Sequence, residues 1–400
     1  MTGRGTNWVD EALREHEEHT AAEQAATRDA DAGAADAGAA GTVARSAGPP
    51  ATPSDREQQV LDRIDRARRR RPRVREERIT MSHGAGGKAT QTLIQAVFLD
   101  AFRNPLLEPL EDAAQLQVGG ARLALTTDTY VVSPLFFPGG NIGDLAVSGA
   151  TPLYLSAGFV LEEGFEVASL TTIVASMTAA AAAAGVQVVT GDTKVVERGK
   201  ADGCYINTAG VGVVEHDLAL GAATARPGDA VIVSGPVGDH GVTIMLARGE
   251  LDIEADLASD TAAMNGMIAG LLAAVPGVRA MRDATRGGVA TILNEVAVAA
   301  GVGVVVEEDQ IPVRAQVRGA AELLGIDPMY VASEGRMVAI VDGEQAGQAL
   351  AALRAHPLGE QAAVIGHITA DQPGIVLLKT AFGGTRIVDL LVGDPLPRIC

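Results

Sequence analysis

The sequence predicts an α/β (α+β) protein of two lobes followed by a tail, and three observations carry that expectation. From Ile79 onward, short apolar runs with strand-like alternation recur between Ala-rich stretches long enough for helices. The arrangement occurs twice, once on each side of the turn-forming dipeptide Pro227-Gly228. The chain has 400 residues, 47% of them hydrophobic but only 3% aromatic, which is enough for two sizeable cores built from Ala, Val, Leu and Ile.

Residues 1–78 stand apart. Repeats of Ala, Gly and Asp (DADAGAADAGAAG), then GPPATPSD, then an Arg-rich run ending RARRRRPRVREER offer almost nothing to pack. This composition predicts a disordered extension with at most a short helix near Arg56 to Arg71. The first lobe, 79–225, opens on RLALTTDTYVV (Arg122 to Val132), an alternating strand ended by the turn FFPGG. TPLYLSAGFVLEE reads as a second strand, and SLTTIVASMTAAAAAAGV as a buried amphipathic helix closed by Gly185. VQVVTGDTKVV and YINTAGVGVV complete the lobe as strands. The second lobe, 226–384, starts on AVIVSGPVGDHG. It continues with helices near Thr261 to Ala274 and Val289 to Ala300, and with strands at VGVVVEE, RMVAIV, AAVIGHIT and GIVLLK. Residues 385–400 are expected to form a mobile tail, because Pro395 and Pro397 disfavour helix. An extended chain from Gly384 to Cys400 would reach on the order of 50 Å.

Composition excludes several functions. A formal net charge of −18 disfavours nucleic-acid binding by phosphate neutralisation. Two cysteines, Cys204 and Cys400, cannot form a disulfide scaffold or a Cys-rich metal site. No secretory signal or membrane span is read, so the cytoplasm is the expected compartment.

Four constellations carry chemistry. Ser82-His83-Gly84-Ala85-Gly86-Gly87-Lys88 could turn backbone N–H groups and Lys88 toward an anion, although Ala89 follows Lys88 where a Walker A loop has Ser or Thr. Asp128, Asp144 and Asp192 stand near strand ends beside Gly or Thr, where carboxylates can hold Mg²⁺ against a triphosphate. Asp283-Ala284-Thr285-Arg286-Gly287-Gly288 leads into a helix whose N-terminal N–H groups could meet phosphate, with Arg286 as a clamp. Finally, the chain closes on VDLLVGDPLPRIC. A thiol on the last residue of a proline-stiffened arm suits a carrier, whereas Cys204 in a strand-like run suits the core.

Taken together, the segments HGAGG, TTDTYVVSPLFFPGGNIGDLAVSGATP, GDTKVVERGKADG, DATRGGVA, SEGR and the closing PRIC resemble the HypE family of hydrogenase maturation factors, also described as carbamoyl dehydratases. The resemblance spans about 79–400. It implies membership of a superfamily with aminoimidazole ribonucleotide synthetase, selenophosphate synthetase and thiamine-monophosphate kinase, and with it a two-lobed PurM-like fold whose N-terminal lobe binds ATP and dimerises. The 78-residue extension departs from the family, and so does Pro152, which stands where many relatives carry Asn-Asp after the Ala.

The resemblance further implies that a HypF-type carbamoyltransferase loads Cys400 and that ATP drives dehydration of the carbamoyl group to a thiocyanate. That group would then supply a cyanide ligand for the [NiFe]-hydrogenase iron through a HypC–HypD scaffold complex. By matching motifs, Asp128, Asp144, Asp192 and Asp283 are implied Mg²⁺–ATP ligands, and Lys88 a phosphate contact. Thr193, Thr285, Arg286 and Gly287 are implied nucleotide contacts, and Lys194 and Glu334 the pair that handles the amide protons. Two alternatives remain at this stage: another amide- or selenide-activating relative, and a non-catalytic scaffold. The absence of Cys in RITMSHGAGG counts against a selenophosphate synthetase.

Overall fold

A computed structural model describes residues 73, 74, 76–131, 141–248 and 256–391. The 1–72 extension, the FFPGG turn and Cys400 lie outside the described residues.

After a 3₁₀ turn at Met81–Gly84 comes helix α1, assembled from Lys88–Leu93, a π-helical stretch Ile94–Leu99 and Asp100–Phe102. The first sheet contains β1 (Ala114–Val118), β2 (Ala121–Val131), β3 (Thr151–Glu162), β4 (Gln187–Val196) and β5 (Cys204–Val213) in the order β1-β2-β5-β3-β4. Its pairs are antiparallel except β3 with β4. A parallel pair needs a crossover, and helix α3 (Val167–Ala183) supplies it. Helix α2 (Asn141–Val147) lies between β2 and β3 in the chain. Strand β2 alternates as its sequence demands, with Ala124, Thr126 and Tyr130 buried and Leu125, Thr127 and Thr129 exposed. Cys204 is wholly buried beside Ile206 and Tyr130.

The second sheet follows the order β12-β11-β8-β10-β6-β9-β7. Its strands are β6 (Ala230–Val233), β7 (Val278–Asp283), β8 (Gly303–Glu307), β9 (Met337–Val341), β10 (Ala363–Thr369), β11 (Val376–Lys379) and β12 (Thr385–Val388). The helices of this half are α4 (Asp239–Ala247), α5 (Asn265–Ala274), α6 (Gly288–Ala300), α7 (Ala315–Leu324) and α8 (Ala346–Arg354). Every residue of β6 and β9 is buried. One core packs α6 (Val289, Leu293, Val296) against Val231, Val304 and Ile340, and another packs α5 (Met267, Ile268, Leu271) against Ile232, Ala339 and Leu353.

Four differences from the sequence expectation have physical causes. Helix α3 buries only Ile173 and Ala181, because it covers the edge of the sheet. Helix α5 starts at Asn265 rather than Thr261; the preceding residues form a loop, with Ser259 Oγ accepting the Thr261 N–H at 3.2 Å. Asp128 lies within β2 and Asp192 within β4 rather than after them, while Asp144 sits in the first turn of α2. Residues 385–388 pair with β11 as β12, so this part of the expected mobile tail is built into the second sheet.

Candidate active site

The acidic residues meet where the two halves touch. Thr126 on β2 donates its hydroxyl hydrogen to Asp144 Oδ2 at 2.7 Å and lies 3.1 Å from the Asp112 carbonyl. Asp283, the last residue of β7, brings its Oδ2 to 3.3 Å from the point where a Cβ on Gly143 would stand. Burial pushes the Asp144 carboxyl up to about 7, with Asp112 and Asp128 adding to the rise and the Thr126 hydrogen bond opposing it. Burial also drives Asp283 well above the usual carboxylate range, and the neighbouring Asp144 charge adds to it. Crowded, buried carboxyls of this kind favour the protonated form.

Asp128 accepts the Thr129 N–H at 2.8 Å, and its Oδ1 stands 3.9 Å from Arg286 Nη2. Arg286 is on the loop that ends in Gly287, the N-cap of α6. Gly287 has φ +78, a left-handed backbone that glycine adopts without strain. The Thr285 carbonyl accepts the Gly288 N–H at 2.9 Å, which closes the turn ahead of α6.

Glu334 occupies the turn before β9 and is tied to the same loop. Ala284 donates its N–H to the Arg336 carbonyl at 2.8 Å, and Ser333 donates its N–H to the Ala284 carbonyl at 2.8 Å. The backbone on both sides of Glu334 is therefore tied to Ala284, the residue after Asp283. Burial raises the Glu334 carboxyl well above its ordinary range; Asp283, Asp128 and Asp260 add to this, and Arg286 offsets only part of it.

Beneath the cluster lies Arg282, 5% exposed, with Asp112 at 2.8 Å, Glu295 at 2.9 Å and Glu111 at 3.4 Å. Burial opposes its charge, but these carboxylates hold the guanidinium ionised. Asp112, Arg282 and Glu295 escaped the sequence reading. Their only sequence trace was the Arg next to Asp283, since residues 112 and 282 meet solely through the fold.

The Gly-rich loop packs on the same side: a Cβ on Gly86 would meet the Arg286 Cβ at 2.8 Å. Lys88 pairs with Asp389 at 2.6 Å, and its N–H donates to the Leu391 carbonyl at 2.9 Å. Tyr330 donates its hydroxyl to the Asp389 carbonyl at 2.7 Å. Leu391 is thus fixed beside the site, nine residues before Cys400. Nine residues can span at most about 30 Å.

Asp192, Thr193 and Lys194 do not join this cluster within one chain. They lie on β4, the exposed edge of the first sheet, with Asp192 opposite Gly158 on β3. From β2 to β4 is three strand spacings, about 14 Å at ~4.8 Å each. The edge also presents Val188 and Val189, 47% and 57% exposed, and Val195, 62% exposed.

The donor set fits a small divalent cation that arrives with phosphates. Among the described residues no three His, Cys, Asp or Glu side chains form a closed cage. Mg²⁺ commonly takes one or two carboxylates plus phosphate oxygens. Asp144 and Asp283, both pushed toward the protonated form by burial, mark a position where a cation would relieve carboxylate crowding. None of the described helices is long and apolar enough to cross a membrane.

Comparison with known proteins supplies the family. Residues 110–214 match the model of the AIR synthase related protein, N-terminal domain, and 226–379 that of the C-terminal domain. A carbamoyl dehydratase HypE of Rhodobacter capsulatus is 53% identical over 339 residues, covering 82% of this chain and 99% of that protein. Among solved structures, a HypE–HypF complex aligns with TM-score 0.71 at 42% identity, over 75% of this chain and 99% of the other. A HypE in complex with ATP aligns with TM-score 0.67 at 45% identity, over 81% of this chain and all of the other.

Proposed function

Since the chain belongs to the HypE family of ATP-dependent carbamoyl dehydratases, within the AIR synthase-related proteins, we propose that it dehydrates a carbamoyl group carried on its own Cys400. The observation that carries this reading is the convergence of Asp128, Asp144, Asp283, Glu334 and Arg286 beside the anchored Leu391. Cys400 is within chain reach of that cluster.

In this reading a HypF-type carbamoyltransferase loads the Cys400 sulfur, and the HypE–HypF complex of a relative supports that partner. The γ-phosphate of ATP passes to the carbamoyl oxygen, which turns a poor leaving group into phosphate. Asp128, Asp144 and Asp283 would hold Mg²⁺, which, when bound with ATP, offsets charge on the transferring phosphoryl group. Arg286 and the start of α6 contact phosphate oxygens, with Thr285 and Gly287 shaping that end of the helix. Lys88 adds a phosphate contact if it exchanges Asp389 for nucleotide. Glu334 takes an N–H proton as phosphate departs and the C≡N bond forms. The resulting thiocyanate would hand its cyano group to the hydrogenase iron through a HypC–HypD complex in the cytoplasm, a transfer that draws two electrons from a reductant outside this chain and returns Cys400 as the thiolate.

Asp192, Thr193 and Lys194 enter the site from a second copy of the chain. The exposed β4 edge, with its valines uncovered, is what supports a homodimer, since long apolar edges are normally covered. Lys194 of that copy would then share the amide protons with Glu334. The test is Glu334→Gln in the loaded, full-length enzyme. ATP binding should persist while thiocyanate formation falls by about 10²-fold or more. Turnover at the normal rate would remove Glu334 from the reaction.

A further inference from the structure

Behind Glu334 lies a second buried polar group, on the stretch between α4 and α5, that none of the chemistry above uses. Asp260 is 9% exposed, and its side chain is fully enclosed. Its Oδ1 accepts the Glu334 N–H at 3.0 Å. Its Oδ2 stands 3.8 Å from Arg336 Nε and has no hydrogen-bond partner among the described residues. Arg336 is turned away to the Leu358 carbonyl, which its Nη1 reaches at 2.8 Å. The two segments are pressed together: a Cβ on Gly335 would fall 1.8 Å from the Asp260 carbonyl oxygen and 2.9 Å from Ala262 N. No other residue type fits at 335 without displacing one chain.

Burying a carboxylate costs several kcal/mol unless its interactions compensate, and a neutral acceptor would satisfy one backbone N–H equally well. The charge therefore asks for a reason. The Glu334 turn is clasped from two sides. Ala284 holds it toward Asp283 through the Ser333 and Arg336 backbone, while Ser333 Oγ accepts the Gly238 N–H at 2.9 Å. Asp260 holds the Glu334 amide itself, through a charge-assisted bond stronger than a neutral one. Removing it frees the one backbone group that carries the Glu334 side chain.

We propose that Asp260 is a positioning residue for the dehydration step, fixing the Glu334 backbone so that its carboxyl stays directed at the Asp128–Asp283 cluster. The proposal rests on the reading of Glu334 as the proton-handling group. Misplacing a catalytic group by about 1 Å can cost on the order of 10²-fold.

The test uses the full-length chain loaded by the carbamoyltransferase, with single-turnover thiocyanate formation as readout. D260A should slow that step by about 10²-fold while the ATP KM stays within a factor of about two, because Asp260 touches no nucleotide position. D260N keeps an oxygen acceptor but loses the charge, and should recover the rate only in part. The D260A/E334Q double variant should be no slower than E334Q alone, since both changes act through one carboxyl. A double variant slowed by the full product of the single effects, or D260A at the wild-type rate, would overturn the proposal. D260S, one atom too short to reach the N–H, reads the same loss should D260A fail to fold.

Amide hydrogen exchange at Glu334 supplies a readout that needs no activity. Exchange should accelerate at least about tenfold in D260A and by less in D260N; unchanged exchange in D260A contradicts the clasp. If the wild-type chain forms no thiocyanate, the dehydratase reading fails, and the exchange result still decides whether Asp260 holds Glu334.

Discussion

Asp144 illustrates how a single side chain records the purpose of its surroundings. Its carboxyl is held up to about 7, first by burial, whereas an Asp in an unfolded chain titrates near ~4. Between those values the folded, nucleotide-free protein keeps a proton that the unfolded chain has released. The associated stability is fully present below the unfolded pKa and is lost as pH rises through the folded one. The melting temperature of the nucleotide-free protein should therefore fall as pH is raised from about 4 to about 7, and Asp144→Asn should make that fall shallower. An identical slope in the variant would contradict the assignment. Asp283, Asp112 and Glu334 are raised as well, so some slope persists. At this scale Asp128, Asp144, Asp283 and Arg286 stood out in the sequence as members of short Gly- or Thr-flanked motifs, and Glu334 only through the family resemblance of SEGR. Asp112, Arg282 and Asp260 did not. Asp112 and Arg282 are partners 170 positions apart in the chain, and Asp260 meets Glu334 across 74.

Among the elements, strands with uninterrupted alternation or solid apolar runs were readable, and β2, β3, β6 and β9 stand where the pattern put them. Strand β7 was hidden by two arginines in VRAMRD. Both are neutralised only in the fold: Arg279 by Asp229 at 2.8 Å and Asp342 at 2.9 Å, and Arg282 by Asp112 and Glu295. Helices α4, α7 and α8 are nine or ten residues long, too short for a periodic signal to rise above the surrounding Ala and Gly. The turn before β9 makes the sharpest element-level prediction. Gly335→Ala sets a methyl group against the Asp260 carbonyl, and overpacking of this kind costs about 1–3 kcal/mol. The melting temperature should drop, and thiocyanate formation should fall further than the loss of folded protein accounts for. A variant with wild-type stability and rate would show that the two segments can separate freely.

At the scale of the whole molecule, one chain holds the acid cluster but leaves Lys194 about 14 Å away across the sheet, on an edge strand that is exposed along nearly its whole length. If the second copy supplies Lys194, complementation follows. A mixed dimer of Lys194→Ala and Glu334→Gln subunits contains one site with both residues intact, and should recover about half of the wild-type rate although each homodimer is inactive. Mixed dimers that stay inactive would place both residues in the same chain's site. An apolar edge of this kind was visible in VQVVTGDTKVV as a strand, but its exposure was not, because no sequence pattern says which strand ends a sheet.

Whether the chain carries its substrate on Cys400 is read from the intact mass of the C-terminal peptide after incubation with the carbamoyltransferase, carbamoyl phosphate and Mg²⁺–ATP. The expected result is addition of one carbamoyl group at Cys400 and then, only with ATP, loss of one water from that same peptide. A peptide that stays unmodified, or a carbamoyl adduct that never loses water while ATP is hydrolysed, would contradict it.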